Sequence, residues 1–208
     1  FTGAATLTGN RTLTVLNSTT FAGNLGQSAA SVLTKAGTGT LLLSGANTYS
    51  GGTTLSAGTL LAGSNTAFGS GTLLLSGGTL GASGGARTLA NAVTLGGNVT
   101  LGGSEALTFS GTLTHSGVNR VITVANSSLS TFAGTLFLAE NNASRTLTLD
   151  VGAGGLLITG TISAGTGSGT DALTKSGSGT LTFGAAQTYV GGLTLAGGTL
   201  DLGGFAHG

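Results

Sequence analysis

A long internal repeat constrains the fold of this chain more than any other feature. Residues 32–64 and 172–204 align without a gap, so that Leu33 corresponds to Leu173 and Leu60 to Leu200. Both copies contain Leu-Thr-Lys-x-Gly-x-Gly-Thr-Leu, followed by Thr-Tyr-x-Gly-Gly. Repetition on this scale is typical of solenoids, in which each unit packs only on its neighbours. The repeat therefore predicts a stack of similar units rather than a globular core.

Shorter spacings indicate the size of one unit. The tripeptide Gly-Thr-Leu occurs eight times along the chain. The step from Gly39 to Gly58, and likewise from Gly179 to Gly198, fits one coil of a β-helix, which takes about 20 residues. We therefore expect residues 1–208 to form a single continuous parallel β-helix of roughly ten coils, with repeat modules at 32–64 and 172–204.

The local pattern is that of strands with one buried face. Residues 12–15 and 146–149 alternate threonine with an aliphatic residue, which is the period of two expected of a strand. Glycine-containing pairs interrupt these runs, as turns require. The chain has no proline, so every residue is able to donate to a strand ladder. The sequence thus predicts an all-β chain, with Leu, Val and Ile ladders inside and Thr and Ser ladders outside.

Two other all-β architectures share this strand content. A transmembrane β-barrel needs aromatic girdles at both interfaces, and this chain has no Trp, two Tyr and eight Phe. An antiparallel sandwich has a core that does not repeat along the chain, which argues against a duplication of this length. The parallel β-helix is the favoured architecture.

The two modules resemble the passenger-associated repeat of autotransporters. The match covers residues 33–60 and 173–200, and the departure from it is Leu193, where the first copy has Thr53. The resemblance implies a right-handed parallel β-helix, exported by type V secretion and then displayed on the cell surface or released. It also implies that the repeat aids secretion and folding, and that an outer-membrane translocator barrel lies outside this segment. The opening at Phe1 leads us to expect a fragment of a longer passenger.

The low net charge argues against a nucleic acid partner. The net charge is +1 and the six basic residues never form a run, so we expect no nucleic acid partner. All four arginines open an apolar alternation and both lysines lie in Leu-Thr-Lys. Basic residues at repeated positions indicate a structural role. The absence of Cys excludes disulfides and thiolate metal sites.

The acidic residues and histidines form no catalytic pattern. No two acids are close in sequence, although Asp150 and Asp171 differ by about one coil and would be neighbours if they stacked. The preferred interpretation is that the acids are solvated turn residues. Neither histidine has a partner at metal-ligand spacing. The residues concerned are Glu105, Glu140, Asp150, Asp171, Asp201, His115 and His207.

Tyr49 and Tyr189 occupy equivalent positions in the two modules. An exposed tyrosine would stack on sugar rings, whereas a buried one would cover the coil with its hydroxyl bonded internally. We favour the second interpretation. The sequence therefore predicts no catalytic, cofactor-binding or metal-binding residue, no cofactor and no small-molecule substrate.

These observations predict a structural stalk or scaffold, not an enzyme, in a secreted or surface-displayed bacterial protein of the autotransporter type. The alternative is an adhesive or self-assembling extracellular module that associates through its end coils and contacts a host surface or matrix. A glycan-active enzyme is disfavoured because acids are few.

Overall fold

The computed structural model describes residues 1–138, 144–164, 171–187 and 191–205. Over these ranges the chain is all-β without a helix, and parallel strands stack as a solenoid of about nine turns. The predicted parallel β-helix is confirmed. Within the same ranges there is no apolar helix with the length needed to cross a bilayer.

Three faces make up each coil, and their strands are numbered here in chain order. The first sheet contains β2 (Arg11–Thr14), β5 (Leu33–Ala36), β7 (Thr53–Leu55), β9 (Leu73–Leu75), β12 (Val93–Leu95), β15 (Leu113–His115), β18 (Leu136–Phe137) and β21 (Ile162–Ser163). The second sheet contains β3 (Ser18–Phe21), β6 (Thr40–Leu43), β8 (Thr59–Ala62), β10 (Thr79–Ala82), β13 (Val99–Leu101), β16 (Arg120–Val124), β19 (Thr146–Val151), β22 (Ala172–Ser176) and β24 (Leu193–Leu195).

The third face is formed by two separate groups of strands. A two-stranded sheet pairs β1 (Ala5–Leu7) with β4 (Leu25–Gln27). Further along the solenoid, a six-stranded third sheet contains β11 (Arg87–Leu89), β14 (Leu107–Phe109), β17 (Ser130–Phe132), β20 (Leu156–Ile158), β23 (Thr180–Phe183) and β25 (Thr199–Asp201).

Coil length is not constant along the solenoid. Leu33 pairs with Thr53 and Thr53 with Leu73, so these coils match the expected length of about 20 residues. Leu136 pairs with Ile162, so a later coil is clearly longer. This longer coil contains β19, a strand of six residues. This difference explains why the chain makes about nine turns rather than the roughly ten expected from uniform coils.

The two repeat copies lie on different faces of the solenoid. In the first copy, β5 and β6 belong to the first and second sheets. Their counterparts in the second copy, β22 and β23, belong to the second and third sheets. The stretch of chain from one copy to the other is therefore not a whole number of coils. The repeat fits either location because each face consists of the same kind of period-two strand.

Inward residues form continuous columns from coil to coil, as the alternation predicts. Residues paired in register lie one above another, about 4.8 Å apart. The second sheet provides an aliphatic column of Leu41, Leu60, Leu80, Leu101, Val124 and Val151. The third sheet provides a partly aromatic one of Phe109, Phe132, Ile158 and Phe183.

Outward positions carry mainly hydroxyl side chains, which confirms the predicted threonine ladders. The second sheet has an outward column of Ser18, Thr40, Thr59, Thr79, Thr100 and Thr123. Leucines interrupt the outer surface at a few points. A Cβ added to Gly63 would be 3.2 Å from Leu42, and one added to Gly96 would be 3.1 Å from Leu74. These outward leucines thus cover glycines of the following coil.

Turn backbones of successive coils touch each other directly. A Cβ added at Gly39 would overlap the carbonyl oxygen of Asn17 in the preceding coil. Several backbone amides, in turns and at the starts of strands, find side-chain acceptors instead. Asn10 Oδ1 accepts from the Val32 N–H at 2.9 Å, and the same arrangement recurs at Asn24, Asn65, Asn98 and Asn119.

We expect Gly39→Ala to destabilise the fold by about 2 kcal/mol or more, because the new methyl group would force two backbones apart. The matched control is Gly26→Ala, where a Cβ would meet its nearest atom at 3.8 Å. Urea unfolding measures both. Equal unfolding midpoints for the two variants would contradict this account of the turns.

Candidate functional site

The lysine of the first repeat copy lies inside the solenoid. The alternation of β5 places Lys35 on the inward side together with Leu33, and the Lys35 side chain is 0% exposed. Its ammonium donates to the carbonyl oxygens of Ala36 at 3.0 Å, Gly37 at 2.8 Å and Ala57 at 3.0 Å. An ammonium has three donors and no acceptor, so its hydrogen-bonding capacity is filled. Ala57 belongs to the next coil, so the lysine joins two coils at one corner.

The second copy reproduces this arrangement. Lys175 is also 0% exposed, and its ammonium donates to the carbonyl oxygens of Ser176 at 2.5 Å, Gly177 at 2.9 Å and Gly197 at 3.0 Å. Lys35 lies in the first sheet and Lys175 in the second. The geometry therefore belongs to the repeat and not to one face. We call each lysine with its three carbonyls a lysine corner.

Glycine is required where each lysine corner meets the following coil. Gly58 has φ +70°, and a Cβ there would lie 2.7 Å from Lys35 Nζ and overlap the carbonyl oxygen of Gly37. Gly198 has φ +68°, and a Cβ there would lie 2.8 Å from Lys175 Nζ. Left-handed backbone strongly favours glycine. The lysine of each repeat and the glycine about one coil later thus form one structural unit.

Burial disfavours the positive charge of each repeat lysine, whereas the dipoles of the surrounding carbonyl groups stabilise it. Burial lowers the pKa of Lys35 below the usual 10.5. The pKa of Lys175 is lowered by the same cause, while the negative charge of Asp150 acts in the opposite direction. Three carbonyl acceptors favour the ammonium form, because a neutral amine has only two N–H donors.

Tyr49 is buried and internally bonded, which confirms the structural interpretation for this residue. Its ring is 0% exposed, and its hydroxyl lies 2.7 Å from Thr53 Oγ1, which in turn donates to the carbonyl of Phe68 at 3.0 Å. Burial raises the pKa of Tyr49 to about 12. Tyr189 lies outside the described residues. Leu193 replaces the hydroxyl partner in the second copy.

The structure separates Asp150 from Asp171. Asp150 pairs in register with Thr123 on one side and with Ser176 on the other, so its neighbour in the following coil is Ser176. The disfavoured alternative in which these two carboxylates stack is therefore wrong, because it assumed a coil of about 20 residues. Asp171 is also not a solvated turn residue. It is 1% exposed, and its Oδ1 accepts from the Arg145 N–H at 3.2 Å.

Among the other candidate residues, the structure describes Glu105, Asp201 and His115. Glu105 is half-buried, and Asp201 is exposed and accepts from a turn amide through its own Oδ1. His115 is buried inside the first sheet. Glu140 and His207 lie outside the described residues. Across the described ranges, no three or more His, Asp or Glu side chains are grouped as a metal site would require.

Arginines near the surface also bond to turn carbonyls. Arg11 Nη2 donates to the carbonyl of Thr8 at 2.7 Å, and Arg87 Nη2 donates to that of Ser83 at 2.9 Å. The structural role predicted for basic residues at repeated positions is confirmed for these two arginines and for both lysines. The inward location of the lysines was not predicted, although the alternation Leu-Thr-Lys puts leucine and lysine on the same side of a strand.

Comparison with known protein families identifies the repeat. The family model described as passenger-associated-transport-repeat matches residues 33–62 and 173–202. Two segments of the chain thus match the passenger-associated transport repeat. Each match contains one complete lysine corner and its glycine. No curated protein and no solved structure matches the chain. The repeats and the solenoid together fit an autotransporter passenger scaffold, and the family implies a secreted or surface-exposed protein.

We expect Lys35→Met to reduce the free energy of unfolding by about 2 kcal/mol, because three buried carbonyls lose their donor. Arg11→Met is the control, since the Arg11 carbonyl partners are on the exposed surface and water is able to replace the guanidinium. Thermal or urea unfolding of both variants measures the difference. An Arg11→Met variant as unstable as Lys35→Met would contradict a special role for the lysine corner.

Tyr49 makes the fold sensitive to alkali. The unfolded chain loses the tyrosine proton near 10.0, whereas the native state keeps it to about 12. The native state therefore binds more protons in this window, and stability falls as pH rises, by roughly 2–3 kcal/mol for a shift of about two pH units. We expect Tyr49→Phe to lose less stability than the wild type between pH about 10 and about 12. The same alkaline loss in both proteins would refute this, since the lysines contribute equally to each.

Proposed function

We propose that this chain is a structural β-helical scaffold in an exported, surface-displayed passenger. Its two repeats act as joints that hold successive coils in register. The lysine corner is the observation that carries the proposal. Within both repeat matches, the lysine, its turn and a glycine about one coil later combine to fix one coil on the next. Such a unit supports a structural role for the repeat.

The joint also gives a physical reason for ordered folding during export. Lys35 obtains two of its carbonyl partners from its own turn and the third from Ala57 in the following coil. Its ammonium is therefore fully bonded only after that coil has docked. In a solenoid, stability comes from contacts between neighbours, so each completed corner favours addition of the next coil. Folding of this kind outside the cell would oppose return of the chain.

The scaffold role is also consistent with how the chain uses its charges. Lys35, Lys175, Arg11 and Arg87 all donate to backbone carbonyls. These side chains are committed to the fold. Self-association through the end coils and contact with a host surface or matrix stay predictions of the sequence.

A display assay of the protein as its own cells produce it tests the proposal. The double variant Lys35→Met/Lys175→Met is expected to lower the amount of protease-resistant passenger on intact cells several-fold, because two joints lose their donors. Arg11→Met/Arg87→Met is the matched control, with the same number of charges removed at turns near the surface. Total protein is measured by immunoblot in parallel. Unchanged display by the lysine double variant, despite lower stability of the isolated chain, would overturn the role of the joints in export.

A further inference from the structure

A third segment has the sequence of a lysine corner but contains histidine. Residues 113–117 read Leu-Thr-His-Ser-Gly, and residues 173–177 of the second repeat read Leu-Thr-Lys-Ser-Gly. The segment lies outside both matches to the repeat family. In the structure, His115 occupies the same inward column of the first sheet as Lys35, with Leu55, Leu75 and Leu95 between them. His115 therefore matches Lys35 both in its sequence context and in its inward position in the first sheet.

Both ring nitrogens of His115 face carbonyl oxygens. The ring is 0% exposed, with Nδ1 2.7 Å from the carbonyl oxygen of Leu138 and Nε2 2.6 Å from that of Val118. Val118 lies in the turn that follows the histidine, and Leu138 lies in the next coil. A lysine corner also combines carbonyls from its own turn with one from the following coil. His115 thus joins the same two structural parts that a lysine joins.

The protonation state of the ring decides whether both contacts are favourable. A carbonyl oxygen only accepts, while a neutral imidazole has one N–H donor and one acceptor nitrogen. With a neutral ring, one of the two nitrogens would direct its lone pair at a carbonyl oxygen. The imidazolium donates through both nitrogens and satisfies both carbonyls at once.

We propose that His115 is a third corner cation whose closure depends on protonation, so that the turn at residues 116–119 is held to the following coil in acid and released as the ring loses its proton. Lys35 and Lys175 hold the corresponding corners with an ammonium, whose three N–H donors all meet carbonyl oxygens.

Among the described residues that pair with β15 or directly follow it, Arg120 is the charged one. β12 and β18 pair with β15 on either side, and neither carries an ionisable side chain. The turn at 116–119 has none, and it is followed by Arg120, whose guanidinium would lie 3.0 Å from a Cβ added at Gly117. Glu140 follows Leu138 by two positions and lies outside the described residues.

Stability measured against pH in variants of the same chain tests the proposal. Relative to His115→Leu, the wild type is expected to gain about tenfold in the equilibrium constant favouring the folded state between about pH 8 and about pH 5. His115→Lys is expected to be as stable as the acidic wild type at both values, because its charge is permanent over this range. His207→Gln is the matched control and is expected to keep the wild-type pH response.

A spectroscopic readout keeps the test decisive if His115→Leu fits the leucine column well enough to offset the lost hydrogen bonds. In acid, NMR of the folded protein is expected to show two hydrogen-bonded ring N–H protons on His115. A single ring N–H at about pH 5, or a pH response that survives in His115→Leu, would overturn the proposal.

Discussion

Turn backbones of successive coils lie in direct contact, and the rest of the structure depends on this close approach. Parallel ladders satisfy the strands, but at each corner some amides and carbonyls lie outside the ladders. No room exists there for a methyl group at positions such as Gly39 or Gly58. Buried backbone groups without partners are costly. Side chains must therefore provide the missing donors and acceptors.

Asparagine and basic residues are among the side chains that meet this requirement. Asparagine side-chain oxygens accept hydrogen bonds from backbone amides that lie outside the ladders, as Asn10 does from Val32. Basic side chains donate to turn carbonyls that lie outside the ladders. Lysine does so inside the solenoid and arginine near its surface. In a chain with only 5% charged residues, both lysines, Arg11 and Arg87 thus serve as donors to backbone carbonyls. The family motif is explained by the same requirement, because its lysine and glycines meet at one corner.

The period-two alternation and the repeat were sufficient to predict the parallel solenoid, the inward aliphatic columns and the outward threonines. They were not sufficient to predict coil length, because strands fix the alternation whereas turns vary freely in length. The longer coil that separates Asp150 from Asp171 is one result. The same alternation places Lys35 on the inward side of its strand. A buried cation is so unusual that this location was not predicted.

NMR of the lysine ammonium groups tests the lysine corner most directly, since the chain has only two lysines. The account predicts that Lys35 and Lys175 both give ammonium proton signals that exchange slowly with water at neutral pH, with couplings through hydrogen bonds to the carbonyl carbons of Gly37 and Gly177. Ammonium protons that exchange as fast as those of a free lysine side chain, without such couplings, would contradict it.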